Sequence, residues 1–140
     1  MEPSEQQQAV RAVAQRFVEI APAGWARLVG NWEATRVDGR VNLNYVTLGV
    51  VDLQDRWGVG QFDFDERLYD LVVELHEAMA AGGDRWTVLD LEVDAHGAFR
   101  TSFGYGQPKR SLGIHDEESL GRFQDYLATW VAEHGERPQR

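Results

Sequence analysis

The side chains able to do chemistry in this chain do not converge on one reaction. His76 is followed by Glu77, but the second histidine of a His-Glu-x-x-His zinc helix is missing. One imidazole falls short of the three protein ligands a catalytic zinc needs, so a partly buried helix histidine is the simpler role. Asp63, Asp65 and Glu66 form a carboxylate cluster of the kind that can hold Mg²⁺, yet no calcium-loop spacing follows them. A helix cap at Asp65 followed by a first-turn acid accounts for two of the three. His115-Asp116 has the composition of half a catalytic pair, but no Gly-x-Ser-x-Gly elbow supplies a nucleophile. Gly104-x-Gly106 ahead of Lys109 has the look of a phosphate loop. It lacks the spacing and the Ser or Thr after lysine, and Pro108 removes a backbone donor, which leaves Lys109 and Arg110 as a small exposed basic spot. No cofactor or metal site is expected, and the chain is expected not to be an enzyme.

Trp57 is a separate case. It lies outside any clean apolar stripe, among Asp52, Asp55, Gly58 and Gly60. It is either an anchor for a protein partner, a role in which tryptophan is enriched, or a ring folded back onto the core.

These residues must be carried by one domain, since 140 residues is a single-domain length. Ser4 is placed to cap a first helix, with Gln7 completing a capping box. Val10, Val13, Phe17 and Ile20 make its stripe, and Pro22 and Gly24 end it. A strand over about 27–37 follows, with Leu28, Trp32 and Ala34 inward and Asn31, Glu33 and Thr35 outward. Asp38-Gly39 signals a tight hairpin. The return strand, about 40–48, has Val41, Leu43 and Tyr45 on one face and Asn42 and Asn44 on the other. Residues 51–64 are either a short strand within 57–64 or a long ordered loop. Asp65 caps the second helix, whose stripe is Leu68, Leu71, Val72, Leu75 and Met79, and Gly82-Gly83 stops it. A hairpin over 84–105 puts Phe99, Thr101, Phe103 and Tyr105 on one face. A last helix starts near Asp116 and shows Leu120, Phe123, Leu127, Trp130 and Val131.

The expected fold is α+β, one domain over residues 1–134 with a frayed polar tail at 135–140. A twisted antiparallel sheet of four to five strands carries three helices packed mainly on one face, in the order α-β-β-(β)-α-β-β-α. The other face is expected to be open to water and to show Glu33, Asn42, Asn44, Asp90, Glu92 and Arg100.

Composition narrows the partners. A formal charge of −9 argues against a nucleic-acid binder, which needs Lys and Arg for phosphates, and suits association with a basic protein surface. No apolar run is long enough to span a bilayer. The acidic start Met1-Glu2-Pro3-Ser4-Glu5 has no apolar leader and the chain has no cysteine, so a cytoplasmic protein is expected, without membrane or nucleic acid as partner.

The hairpin residues carry a resemblance. Trp86 opens the strand, Asp94-x-x-Gly97-x-Phe99 makes the turn, and Phe103-Gly104-Tyr105 closes it. Together with Trp25 after the first helix, the strand pair at about 26–50 and the helix at 66–80, this resembles the YezG-like family of bacterial immunity proteins over residues 5–131. The 51–64 segment has no counterpart in that pattern. The resemblance implies an antitoxin that binds and neutralises a cognate secreted toxin of the LXG polymorphic type, commonly a nuclease, by stoichiometric occlusion, as a monomer or weak dimer. The candidate toxin-binding residues are Asp52, Asp55, Trp57, Asp63 and Glu66 from the acidic segment, and Glu33, Asn44, Asp90 and Glu92 from the open sheet face. The alternative is a small acidic chaperone for a secreted protein, which would dimerise and hold an unfolded segment.

Overall fold

A computed structural model describes residues 3–62, 65–110, 123 and 125–135. The elements are α1 (Pro3–Glu19), β1 (Trp25–Val37), β2 (Arg40–Asp52), β3 (Trp57–Gln61), α2 (Glu66–Ala81), β4 (Val88–Asp94), β5 (Phe99–Gly104) and α3 (Tyr126–His134). This is a single α+β domain with an open, five-stranded antiparallel sheet in the order β3-β2-β1-β4-β5. The glycine-rich segment after Asp52 is therefore a strand at the sheet's edge. The start of the last helix near Asp116 and the tail after Gly135 lie outside the described residues.

The turns are where local chemistry is most decisive. Asp38 and Gly39 both take positive φ, 52° and 79°, and Val37 pairs with Arg40. Two left-handed residues make the type I′ turn whose twist matches a two-residue hairpin. At the β4–β5 turn Gly97 has φ of 85°, and the Asp94 carboxylate accepts from the backbone N–H of His96 (2.9 Å) and Ala98 (3.1 Å). Asp65 caps α2 by accepting from the Leu68 N–H at 2.9 Å. Arg16 of α1 also pairs with Asp65, and that hydrogen bond, more than the cap, holds its carboxyl below the usual range. α1 begins at Pro3, which suits a first-turn position, so Ser4 sits inside the helix rather than at its cap.

One face of the sheet is covered by α1 and α2. Leu28, Trp32, Leu89, Leu91 and Val93 meet Val13, Phe17, Leu68, Val72 and Leu75 there, all almost completely buried. Gly30 makes room for this packing: a Cβ at that position would sit 2.3 Å from the Trp32 ring. The expected phase of β5 holds for Phe99, Thr101 and Phe103, which oppose Val93, Leu91 and Leu89. Tyr105 does not follow them. β5 ends at Gly104, and Tyr105 is exposed, its hydroxyl donating to Asp84 at 2.7 Å.

The second face is not open at its centre. α3 lies on it and builds a second core from Val29, Leu48, Val50, Tyr126 and Trp130. Arg27 of β1 pins this helix, pairing with Glu133 at 3.1 Å and lying 4.9 Å over the Trp130 ring. Most of β1, from Leu28 to Ala34, is buried on both sides, including Asn31 and Glu33, which alternation alone assigns to solvent.

Candidate functional site

The outward-phase residues of β1, β2 and β4 fall side by side. Glu33 lies across from Asn44 and Asn31 across from Asp90, because paired strands keep the same parity. The sequence alone places this set on a wet surface. In the folded chain it surrounds Arg110, which is buried rather than an exposed basic spot. The Arg110 backbone N–H donates to Glu33 Oε2 at 3.3 Å, and its Nη1 lies 3.8 Å from the same oxygen. Nε donates to Asn44 Oδ1 at 3.0 Å, and Nη2 donates to the carbonyls of Asn31 (3.2 Å) and Asn44 (3.3 Å). Asn31 in turn donates to Asp90 at 3.1 Å. The side chains of Arg110 and Glu33 are 4% and 5% exposed, so the pair is removed from water. Burial pushes the guanidinium below its ordinary value while Glu33 and then Asp90 oppose that shift.

Chemically this is a structural clasp. Glu33 is committed to a buried cation, and the fork of the guanidinium is spent on carbonyl and amide oxygens. Three of the candidate contact residues, Glu33, Asn44 and Asp90, are thus brought together, but only Asn44 is exposed. Glu92 stands further along β4, paired with the exposed Arg100 at 2.9 Å.

Three more candidates, Asp52, Asp55 and Trp57, lie at the β2–β3 turn. Asp52 and Trp57 oppose each other in register. Asp52 Oδ1 accepts from the Gln54 N–H at 2.7 Å and fastens the turn, where Gln54 has φ of 76°. Asp55 is mostly exposed and pairs with Arg56 at 3.4 Å. Trp57 is half-buried, its ring 5.4 Å from Trp130 and edge-on to it, so it is folded back onto the second core. Leu53 is 45% exposed and Val59 40% exposed. Glu66 is exposed in the first turn of α2. Asp63 lies outside the described residues.

His76 is a core histidine. Its Nε2–H donates to the Trp86 carbonyl at 3.0 Å and its ring stands edge-on to Trp86 at 4.6 Å. Burial, the largest cause, holds it below the ordinary imidazole value, with the Arg36 charge adding to the effect. It borders a cleft of about 630 Å³ in which Arg36 pairs with Glu77 at 3.1 Å. Among the described residues no three His, Asp or Glu side chains come together to hold a metal ion. No described helix is long and apolar enough to cross a membrane.

The residues that sequence reasoning missed are Arg110 and Asn31. The signal was a lateral one. Three adjacent strands place polar residues at matching positions, Glu33 opposite Asn44 and Asn31 opposite Asp90. A sheet centre with two or more carboxylates and no cation of its own calls for one from elsewhere. Compared with known proteins, the chain matches no family pattern and no curated sequence.

Proposed function

We propose that this chain is an immunity protein that binds a cognate toxin protein stoichiometrically and neutralises it by occlusion, without catalysis or cofactor. The observation that carries the proposal is the character of the β2–β3 end. Leu53 and Val59 are exposed there beside Asp52 and the mostly exposed Asp55, on a chain of net charge −9. Apolar side chains with an acidic surround suit a protein partner whose contact surface is basic, as that of a nuclease is. The resemblance of the 84–105 hairpin to YezG-like immunity proteins points the same way. Burial of Glu33 and half-burial of Trp57 narrow the contact set to Asp52, Leu53, Asp55 and Val59. The partner is neither a nucleic acid nor a membrane, and the protein acts in the cytoplasm as a monomer or weak dimer.

The test is co-expression with any secreted toxin found encoded next to this chain, together with binding kinetics at two salt concentrations. Wild-type protein is expected to protect cells and bind one to one. The double change Asp52→Asn and Asp55→Asn is expected to slow association at low salt, because exposed charges act chiefly on encounter. Asparagine at 52 keeps the turn-capping oxygen. Failure of the wild-type protein to bind that toxin or to protect overturns the proposal.

A further inference from the structure

On the α1 side of the sheet, two adjoining hollows of about 330 and 470 Å³ run between α1 and β5 and share Arg11 and Phe99. The floor of the smaller is the inward-phase row Phe99, Thr101 and Phe103, none of which is fully covered, and that of the larger is Phe99 with Val93. Val10, Ala14 and Val18 of α1 form the wall. β5 is an edge strand: β4 pairs with one side of it, and no described strand pairs with the other. The groove therefore has a helix for one wall and a line of backbone donors and acceptors for the other.

We propose that this groove receives an extended segment of a partner protein, which adds to β5 as a sixth strand and presents a carboxylate to Arg11. Three features select that occupant. The outer N–H and C=O groups of an edge strand are satisfied by another strand and not by a helix. The floor repeats every second residue, about 7 Å at the rise of a strand, which is the spacing of alternate side chains in an extended segment. Arg11 borders both hollows and is exposed, and its side chain makes no ion pair or hydrogen bond among the described residues. An acidic side chain on the incoming segment would complete it. A second copy fits less well, since each copy brings a net charge of −9. The site does not rest on the immunity proposal: it lies at the β5 edge, whereas the acidic turn lies at the β3 edge.

The experiment is selection from a phage-displayed random octapeptide library on the full chain, followed by titration of the best synthetic peptide. Enriched sequences are expected to alternate apolar and polar residues, with Asp or Glu at one fixed place. Thr101→Trp, which fills the floor, is expected to weaken that peptide at least tenfold with an unchanged denaturant midpoint. Arg11→Glu is at an exposed helix position and keeps the test valid should the tryptophan variant not fold. It is expected to weaken the acidic peptide at least tenfold and to shift enrichment towards Lys or Arg. The proposal is overturned by no enrichment over an unrelated protein, by apolar residues at helical three- and four-residue spacing, or by peptides indifferent to both variants. It is equally overturned if the chain sediments as a dimer that Arg11→Glu or Thr101→Trp dissociates. The acidic-turn variants should leave peptide binding unchanged, so either proposal can fail alone.

Discussion

The two faces of the sheet are buried by different means. Against α1 and α2, the sheet offers Leu28, Trp32, Leu89, Leu91 and Val93, and the face is closed by apolar packing. Against α3 it offers Val29, Leu48 and Val50, and then, a few residues along the same strands, a polar clasp of Asn31, Glu33, Asn44 and Asp90 around Arg110. The first face tolerates imprecision, because apolar contact has no required direction. The second does not, because a buried charge loses its compensation when one partner is removed. Alternation along β1 reports which residues share a face. It does not report whether that face is wet.

The two faces differ most at their centres. Trp32→Ala is expected to cost about 3–5 kcal/mol, the usual range for a buried aromatic, since the ring is fully covered and packs 5.6 Å from Phe17. Arg110→Ala is expected to cost a similar amount, about 3–5 kcal/mol, as removal of one partner of a buried pair does. The two faces then separate in the double variants. Adding Glu33→Gln to Arg110→Ala should recover much of the loss by removing the stranded charge, whereas no second neutral substitution should restore Trp32→Ala. Denaturant midpoints of the four proteins decide this, and equal penalties with and without Glu33→Gln would show that the clasp is not carrying a charge.

A smaller effect is expected at Trp57. Half-burial against Trp130 makes Trp57→Ala cost about 1–2 kcal/mol, below the full burial value for a large side chain. An unchanged midpoint would mean the ring does not contribute to the second core and is free for a partner. Phe103→Ala should likewise cost less than Trp32→Ala, because Phe103 is only partly covered on the floor of the groove.

The first face also carries a pH dependence. His76 is held below the ordinary imidazole value of 6.5 by burial, so the unfolded chain takes up this proton more readily than the folded one. Stability is therefore expected to be full above about pH 6.5 and to fall as pH drops towards the folded value. His76→Gln, whose amide can still donate to the Trp86 carbonyl, should flatten the change in midpoint between pH 7.5 and 5.5. A slope identical to wild type would assign the acid sensitivity elsewhere. The smallest effect is expected at the turn, where Asp55→Asn should leave the midpoint unmoved because Asp55 is 70% exposed and paired only with an equally exposed arginine.

Much of this protein was legible in the chain itself wherever structure depends on near neighbours. Asp38-Gly39 demanded a two-residue hairpin, since few other pairs accept positive φ twice in succession. Asp65 marked the start of α2, and the period-two rows of β1, β2, β4 and, as far as Phe103, β5 were phased correctly by residue type. What only the tertiary structure decided is which of those rows stays in water. Arg110 reaches Glu33 across 77 residues of sequence, and α3 closes over Val29 and Val50 from a similar distance along the chain. Periodicity fixes the parity of a side chain through the geometry of the local backbone. Burial depends on where a remote segment comes to rest, and no pattern within a single strand carries that information.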